Sequence, residues 1–179
     1  GMTREEALAA VNSYYQELAA SPFTVTADGQ PVETTLAELG FSWDAESVVD
    51  AALREGKTGG ILARYKEKQD LQHSNVVLEI PYTLDSKAVA AFVGVEVAAL
   101  DTPPVDASIT REDGAFVITP EVNGLVTNKV ETVKAVEQAV ADRLEAGMTV
   151  EAVAEVTTPA CTAEVLGQIQ DLLGDKTTD

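Results

Sequence analysis

The only thiol and the only imidazole in this chain belong to Cys161 and His73, which lie far apart in the sequence. A cysteine nucleophile needs a basic partner that holds it as the thiolate, and nothing in the sequence places these two residues together. A structural or catalytic zinc site needs several such ligands at characteristic spacings. We therefore predict a chain that is not an enzyme, with no metal and no cofactor, in which Cys161 is a small buried residue.

Carboxylates are abundant, but their positions favour turns over catalysis. The chain has 30 acidic residues, and several aspartates stand in predicted turns: Asp28, Asp44, Asp101, Asp106 and Asp113. Aspartate is common at such positions because its side chain bonds to nearby backbone groups. These residues do not have the spacing of a calcium-binding loop. The run from Gly56 to Gly60 lacks the full spacing of a phosphate loop and follows a helix instead of a strand.

Recognition of a sugar or peptide needs aromatic faces and hydrogen-bonding or charged groups, and a few residues supply them. A predicted insertion, residues 57–73, carries four basic and two acidic side chains and is cationic in an acidic chain. Trp43 lies between a predicted hairpin and a helix, where half-buried packing is the commoner role. The candidate ligand-binding residues are Tyr65, Arg64, Lys66, Lys57 and Trp43.

Composition narrows the class of partner. The 179 residues have a formal net charge of −18 and an apolar fraction of 45%. This charge opposes binding to nucleic acid and to anionic lipid, because both need clustered lysine and arginine. No apolar run reaches the roughly 18 residues of a membrane span, and no signal peptide is recognisable.

The element pattern occurs twice. Thr3 and Glu6 predict a capping box at the start of the first helix, whose apolar stripe includes Tyr14 and Tyr15. Asp28-Gly29 and Asp113-Gly114 each predict a hairpin turn. Strands are also predicted at 76–80 and through Val150, Val153 and Val156, and helix caps at Asp44 or Ser42, Asp85 or Ser86, and Asn128 or Thr127.

We predict an α+β fold with two pseudo-repeats of helix, strand, strand, helix and strand, in which helices cover antiparallel or mixed sheets. The predicted domains are residues 1–83, the first repeat with its insertion, and 84–158, the second repeat. Residues 159–179 form a C-terminal helix that leads to a downstream domain.

Short motifs in a consistent order resemble a known family. They are Thr34-Thr35-Leu36-Ala37-Glu38-Leu39-Gly40, then Glu55-Gly56-Lys57-Thr58-Gly59-Gly60, then Pro104-Val105-Asp106-Ala107 with Asp113-Gly114 and Phe116, and Thr158-Pro159 with Thr162 and Leu166. This order resembles the peptidoglycan-binding domain of VanW-like bacterial cell-surface proteins, a group linked by name to vancomycin resistance. The resemblance implies an extracytoplasmic module, membrane-anchored in the full-length protein, that contacts peptidoglycan and precedes a VanW domain.

Three functional hypotheses follow. The first is a noncatalytic module of the cell envelope that binds peptidoglycan or another cell-wall component. The second is a structural spacer or protein-interaction domain that presents the downstream VanW domain, through a sheet edge or an apolar groove. The third is an enzyme that acts on cell-wall substrates through a pair of carboxylates.

Overall fold

The computed structural model describes residues 3–54 and 81–174 of the chain. Over these residues the fold is α+β, as predicted, with helices, several small sheets and a C-terminal helix. The described residues form two compact units, the first from residues 3–23, 33–54, 81–89 and 143–148, and the second from 24–32, 90–142 and 149–174. The domain boundaries at residues 83 and 158 follow the order of the chain and stay a prediction.

Helix α1 spans Arg4–Ala20 in the first unit and begins as predicted. The Thr3 hydroxyl accepts a hydrogen bond from the Glu6 N–H at 3.2 Å, and the Glu6 carboxylate accepts one from the Thr3 N–H at 2.7 Å. This capping box satisfies backbone N–H groups that the first turn of a helix leaves without partners. The helix ends at Ala20, because the backbone of the next residue, Ser21, is extended before Pro22.

Two hairpins confirm the Asp-Gly predictions. Strand β1 (Pro22–Ala27) turns into β2 (Gln30–Thr35), and β5 (Ser108–Glu112) turns into β6 (Ala115–Thr119). Both residues of each turn have positive φ, 50° and 72° at Asp28-Gly29, and 49° and 86° at Asp113-Gly114. Such turns match the right-handed twist of paired strands, which explains why the same dipeptide serves both hairpins.

The rest of the first unit is a short strand pair and a helix. Strand β3 (Ser42–Trp43) pairs antiparallel with β4 (Tyr82–Thr83), and helix α2 covers Ala45–Arg54. Asp44 caps α2, because its carboxylate accepts the Ser47 N–H at 3.1 Å. The buried apolar residues of this unit include Phe23, Leu36, Leu39, Phe41, Val49 and Val89.

A tight reversal at Gly40 makes the β3–β4 pair possible. Gly40 has φ +73°, and a Cβ atom placed on it would lie 2.5 Å from the Asp85 Cβ. The Asp85 N–H donates to the Leu39 carbonyl at 3.3 Å, and the Asp44 N–H donates to the Pro81 carbonyl at 3.1 Å. Only glycine combines this backbone conformation with so close an approach.

The second unit combines helices with small sheets. Helix α3 (Ser86–Phe92), capped by Asp85, crosses into it at Ala90 and continues as a π-helical turn, Val93–Val97, and a 3₁₀ turn, Ala98–Leu100. Strand β7 (Gly124–Thr127) leads into helix α4 (Lys129–Asp142), which Asn128 caps. Strands β8 (Thr149–Glu151) and β9 (Ala154–Thr157) precede helix α5 (Ala163–Gly174).

The single strand expected through Val150, Val153 and Val156 is wrong, because the chain changes partners there. Strand β8 runs parallel to Thr24–Thr26 of β1, whereas β9 pairs antiparallel with β7. Between them, the Val153 N–H donates to the Thr132 hydroxyl at 3.0 Å, and its carbonyl accepts the Asn128 N–H at 2.8 Å. Thr132 is fully buried, and its hydroxyl accepts a hydrogen bond from a backbone N–H that neither strand pairing satisfies.

Each copy contains a short third strand that the predicted repeat of helix, strand, strand, helix and strand does not include. Strand β3 follows the first hairpin and β7 follows the second, each next to a constrained glycine, Gly40 or Gly124. A Cβ atom on Gly124 would lie 2.5 Å from the Pro104 nitrogen and from the Thr157 hydroxyl.

The predicted strand at 76–80 and the insertion 57–73 lie outside the described residues.

In the part of the chain that the structure describes, no helix has the length and apolar character needed to cross a bilayer.

We predict that Gly40→Ala destabilises the first unit by about 2–4 kcal/mol, from backbone strain at positive φ and overlap with Asp85. Gly147→Ala is the matched control, because Gly147 has the same φ of +73° but no atom within 4 Å of its added Cβ. The control should lose only about 1 kcal/mol. Urea unfolding of both variants measures the difference, and equal losses would contradict a steric role for Asp85.

Acid should weaken the anchoring of α5. The Glu121 carboxylate accepts the Ala163 N–H at 2.7 Å, and this hydrogen bond holds the pKa of Glu121 below its usual range. The resulting stabilisation is present above the unfolded-state pKa of about 4.3 and is lost as pH falls through the lower folded-state pKa. We expect the melting temperature to fall less below pH 4 in Glu121→Gln than in the parent.

The control for this pH series is Glu112→Gln, because the Glu112 carboxylate accepts no hydrogen bond from the described residues. It should keep the acid sensitivity of the parent chain. The same reduction in both variants would show that general charge repulsion, and not the bond to Ala163, causes the acid loss.

Candidate functional site

The structure describes one of the five predicted ligand-binding residues. Trp43 lies in β3, whereas Lys57, Arg64, Tyr65 and Lys66 lie outside the described residues and stay predictions. The candidate site is therefore built outward from Trp43.

Trp43 belongs to a cluster of aromatic rings in the first unit, which we call the aromatic surface: Tyr14, Tyr15, Phe41, Trp43 and Tyr82. The Tyr15 ring lies 6.1 Å from the Phe41 ring in a nearly parallel stack and 5.7 Å from the Trp43 ring. Phe41 lies 5.8 Å from Trp43 and 5.5 Å from Tyr82. These separations fall in the range where ring pairs add about 0.5–1.5 kcal/mol each to their burial.

Three elements position these rings. Helix α1 supplies Tyr14 and Tyr15, and the register of the short strand pair places Trp43 directly opposite Tyr82. Phe41 and Trp43 are two residues apart in extended chain, so their side chains leave the same face. Ser42 and Thr83 form the neighbouring cross-strand pair, with their hydroxyls 2.7 Å apart, and lie on the opposite face of the ribbon.

A hydrogen bond fixes the orientation of the indole ring. Trp43 Nε1 donates to Asn12 Oδ1 at 2.9 Å, and both residues are half-buried. The amide nitrogen of Asn12 makes no hydrogen bond to the described residues and can donate to a ligand. The oriented indole therefore has beside it an amide donor to which the described residues offer no acceptor.

Exposure increases across the cluster. Phe41 is buried with 6% of its surface accessible, Tyr15, Trp43 and Tyr82 are half-buried, and Tyr14 is 59% exposed. The Tyr14 ring meets the Tyr15 ring edge-on at 5.3 Å and 75°. An exposed ring held by a half-buried neighbour can contact a ligand without a large loss of side-chain freedom.

Burial raises the pKa of Tyr15, and the nearby Tyr14 and Tyr82 hydroxyls raise it further. The Tyr15 phenol is therefore protonated at any physiological pH.

The sequence predicts that Tyr14 and Tyr15 both lie in the buried apolar stripe of α1. The prediction is wrong for Tyr14, which is exposed. Adjacent helical residues point about 100° apart, so two large neighbours cannot both face a narrow core stripe. The Tyr-Tyr pair was therefore a usable indication of an exposed aromatic. The contact between Trp43 and α1 joins residues distant in sequence, and no local pattern indicates it.

The carboxyl groups with shifted pKa values among the described residues do not suit a general acid. The pKa values of Glu6, Asp50 and Glu121 are lowered, by hydrogen bonds from Thr3, Arg4 and Ala163 respectively, whereas a general acid needs a raised one. Among these residues no three His, Cys, Asp or Glu side chains are grouped to hold a metal. Cys161 is half-buried, and its backbone bonds to Asp106 and Ala107.

Comparison with known proteins identifies a family. No curated protein and no solved structure matches the chain. The family model described as "Putative peptidoglycan binding domain" matches residues 32–147, about two thirds of the chain. The match includes Phe41, Trp43 and Tyr82 of the aromatic surface. The chain therefore belongs to this family of peptidoglycan-binding domains.

Proposed function

We propose that this chain is a noncatalytic module that binds peptidoglycan by holding its glycan strand against the aromatic surface of the first unit. The observation that carries this proposal is the graded aromatic surface around Trp43, with an exposed Tyr14 ring and an Asn12 amide donor that has no acceptor among the described residues. Membership of the peptidoglycan-binding family supports the choice of ligand.

The chemistry of the surface suits a sugar. A pyranose ring has apolar C–H faces and polar edges, so it pairs an aromatic face with hydrogen-bond donors and acceptors. Tyr14 and Trp43 supply the faces, and Asn12 supplies N–H groups to a hydroxyl or an acetamido carbonyl. The phenol hydroxyls of Tyr14 and Tyr15 can donate or accept at the rim.

The cationic insertion extends this proposal. Lys57, Arg64 and Lys66 would contact the acidic groups of the wall polymer, because charge-assisted bonds to carboxylates are the strong ones. Tyr65 would place its ring against a sugar. Since the rest of the chain is strongly acidic, these cations would also set the orientation in which a negatively charged polymer approaches.

We place the module outside the cytoplasmic membrane of a bacterium, where peptidoglycan lies. The resemblance to VanW-like proteins supports a longer protein, anchored in the membrane and carrying a downstream VanW domain. In that arrangement this chain would hold the VanW domain close to the wall.

A second candidate role is contact with that downstream domain. Val165 and Ile169 are 47% and 44% exposed and lie one turn apart on α5, so they form an apolar strip on the helix surface. An isolated VanW domain mixed with this chain should then bind it, and Val165→Asp with Ile169→Asp should abolish the complex. Unchanged binding in the double variant would contradict this role.

The glycan proposal predicts that Tyr14→Ala weakens binding to soluble, peptide-free glycan fragments by about three- to tenfold, the equivalent of one lost aromatic contact of about 0.7–1.4 kcal/mol. Trp43→Ala should lose more, because it also releases Asn12. Titration calorimetry of folded variants, verified by circular dichroism, measures both effects.

Phe116→Ala is the matched control, because Phe116 is also a partly exposed aromatic but belongs to the second unit. It should bind glycan as the parent does. Retention on purified, teichoic-acid-free peptidoglycan at moderate salt, with and without calcium, provides the second readout. No retention of the parent chain under either condition would overturn the proposal.

A further inference from the structure

A surface pocket in the second unit includes none of the residues of the aromatic surface. It has a volume of about 270 Å³ and is lined by Ala90 of α3 and by Lys129, Val130, Val133 and Lys134 of α4. The α4 residues follow the i, i+1, i+4, i+5 pattern, so they share one face of the helix. Val130 is 64% exposed, which leaves a large apolar side chain facing water at the pocket.

The pocket is positively charged in an acidic chain. Lys134 forms an ion pair with Glu131 at 2.7 Å, so its charge is partly compensated. The Lys129 ammonium contacts only the Gly94 carbonyl, at 3.5 Å, and no carboxylate of the described residues lies within ion-pair distance of it. Lys129 is therefore the cation at this pocket that can accept an anionic partner.

Size and lining restrict the occupant further. A volume of about 270 Å³ is large enough for a dipeptide end with small side chains. Ala90, Val130 and Val133 provide apolar contacts for methyl groups, and Lys129 provides a charge-assisted bond to a carboxylate. A neutral sugar would leave the Lys129 charge without a carboxylate partner.

We propose that this pocket binds the carboxylate-bearing end of a short peptide with alanine-sized side chains. Peptidoglycan carries such groups, because its glycan strands bear short peptides that contain alanine and have free carboxylates. The inference rests on the proposed function, to which it adds a peptide subsite separate from the aromatic surface. The Lys129 ammonium bonds to the carboxylate, and Val130 and Val133 contact the methyl groups.

The test is an NMR titration of the intact chain with acetyl-alanyl-alanine, in its L,L and D,D forms, beside the corresponding carboxamides. One or both acids should shift the amide signals of residues 129–134 in a saturable way. The carboxamides and the Lys129→Gln variant should bind at least fivefold more weakly. Higher salt should also weaken binding of the acid, because the interaction includes an exposed ion pair.

Lys87→Gln is the matched control, because Lys87 lies on the exposed surface of α3 and does not line the pocket. It should bind the acid as the parent does, and Val130→Asp should bind poorly. Equal binding of acid and carboxamide, full binding by Lys129→Gln, or no shifts at residues 129–134 would each overturn the peptide subsite.

The two proposals fail separately. The peptide probes contain no sugar, and the peptide-free glycan fragments contain no carboxylate-bearing peptide. Glycan binding that depends on Tyr14 without any peptide binding would leave the proposed function intact and remove the subsite. Peptide binding at Lys129 without glycan binding would do the reverse.

Discussion

The close approach of the backbone at Gly40 to Asp85 is the constraint on which the candidate site depends. Gly40 turns the chain so that Phe41 and Trp43 enter a two-residue strand, and the bond from Asp85 to Leu39 brings β4 beside it. A strand pair of this length has little stability of its own. It persists because Phe41 is buried, stacks on Tyr15 and contacts the Tyr82 ring at a tilt of 36°. The same rings that stabilise the first unit therefore form the face at which we propose binding.

The aromatic side chains of the cluster have two roles, burial in the core and the proposed recognition of a ligand. Burial of Phe41 and part of Tyr15 stabilises the unit, whereas recognition of a ligand needs exposed ring surface. The fold separates these roles by depth, from Phe41 in the core to Tyr14 at the surface. The bond from Trp43 to Asn12 then fixes the intermediate ring, so that less conformational freedom is lost on binding.

Local chemistry predicts much of this fold. The capping box at Thr3 and Glu6 and the turns at Asp28 and Asp113 each need only a few neighbouring residues, and each is observed. The failures concern partners distant in sequence. The break between β8 and β9 depends on Thr132, twenty-one positions from Val153, and a two-residue strand such as β3 has no periodicity to detect. Its aromatic residue type alone makes Trp43 a candidate ligand-binding residue, whereas no local pattern predicts its neighbours on α1.

The central claim is that a glycan strand lies against the aromatic surface, and the chain provides its own probe because Trp43 is the only tryptophan. The most direct measurement is the intrinsic fluorescence of Trp43 during titration with peptide-free glycan fragments. The account predicts a saturable change in intensity and emission maximum that Tyr14→Ala shifts to higher glycan concentration. Unchanged Trp43 emission at glycan concentrations where calorimetry shows binding would contradict it.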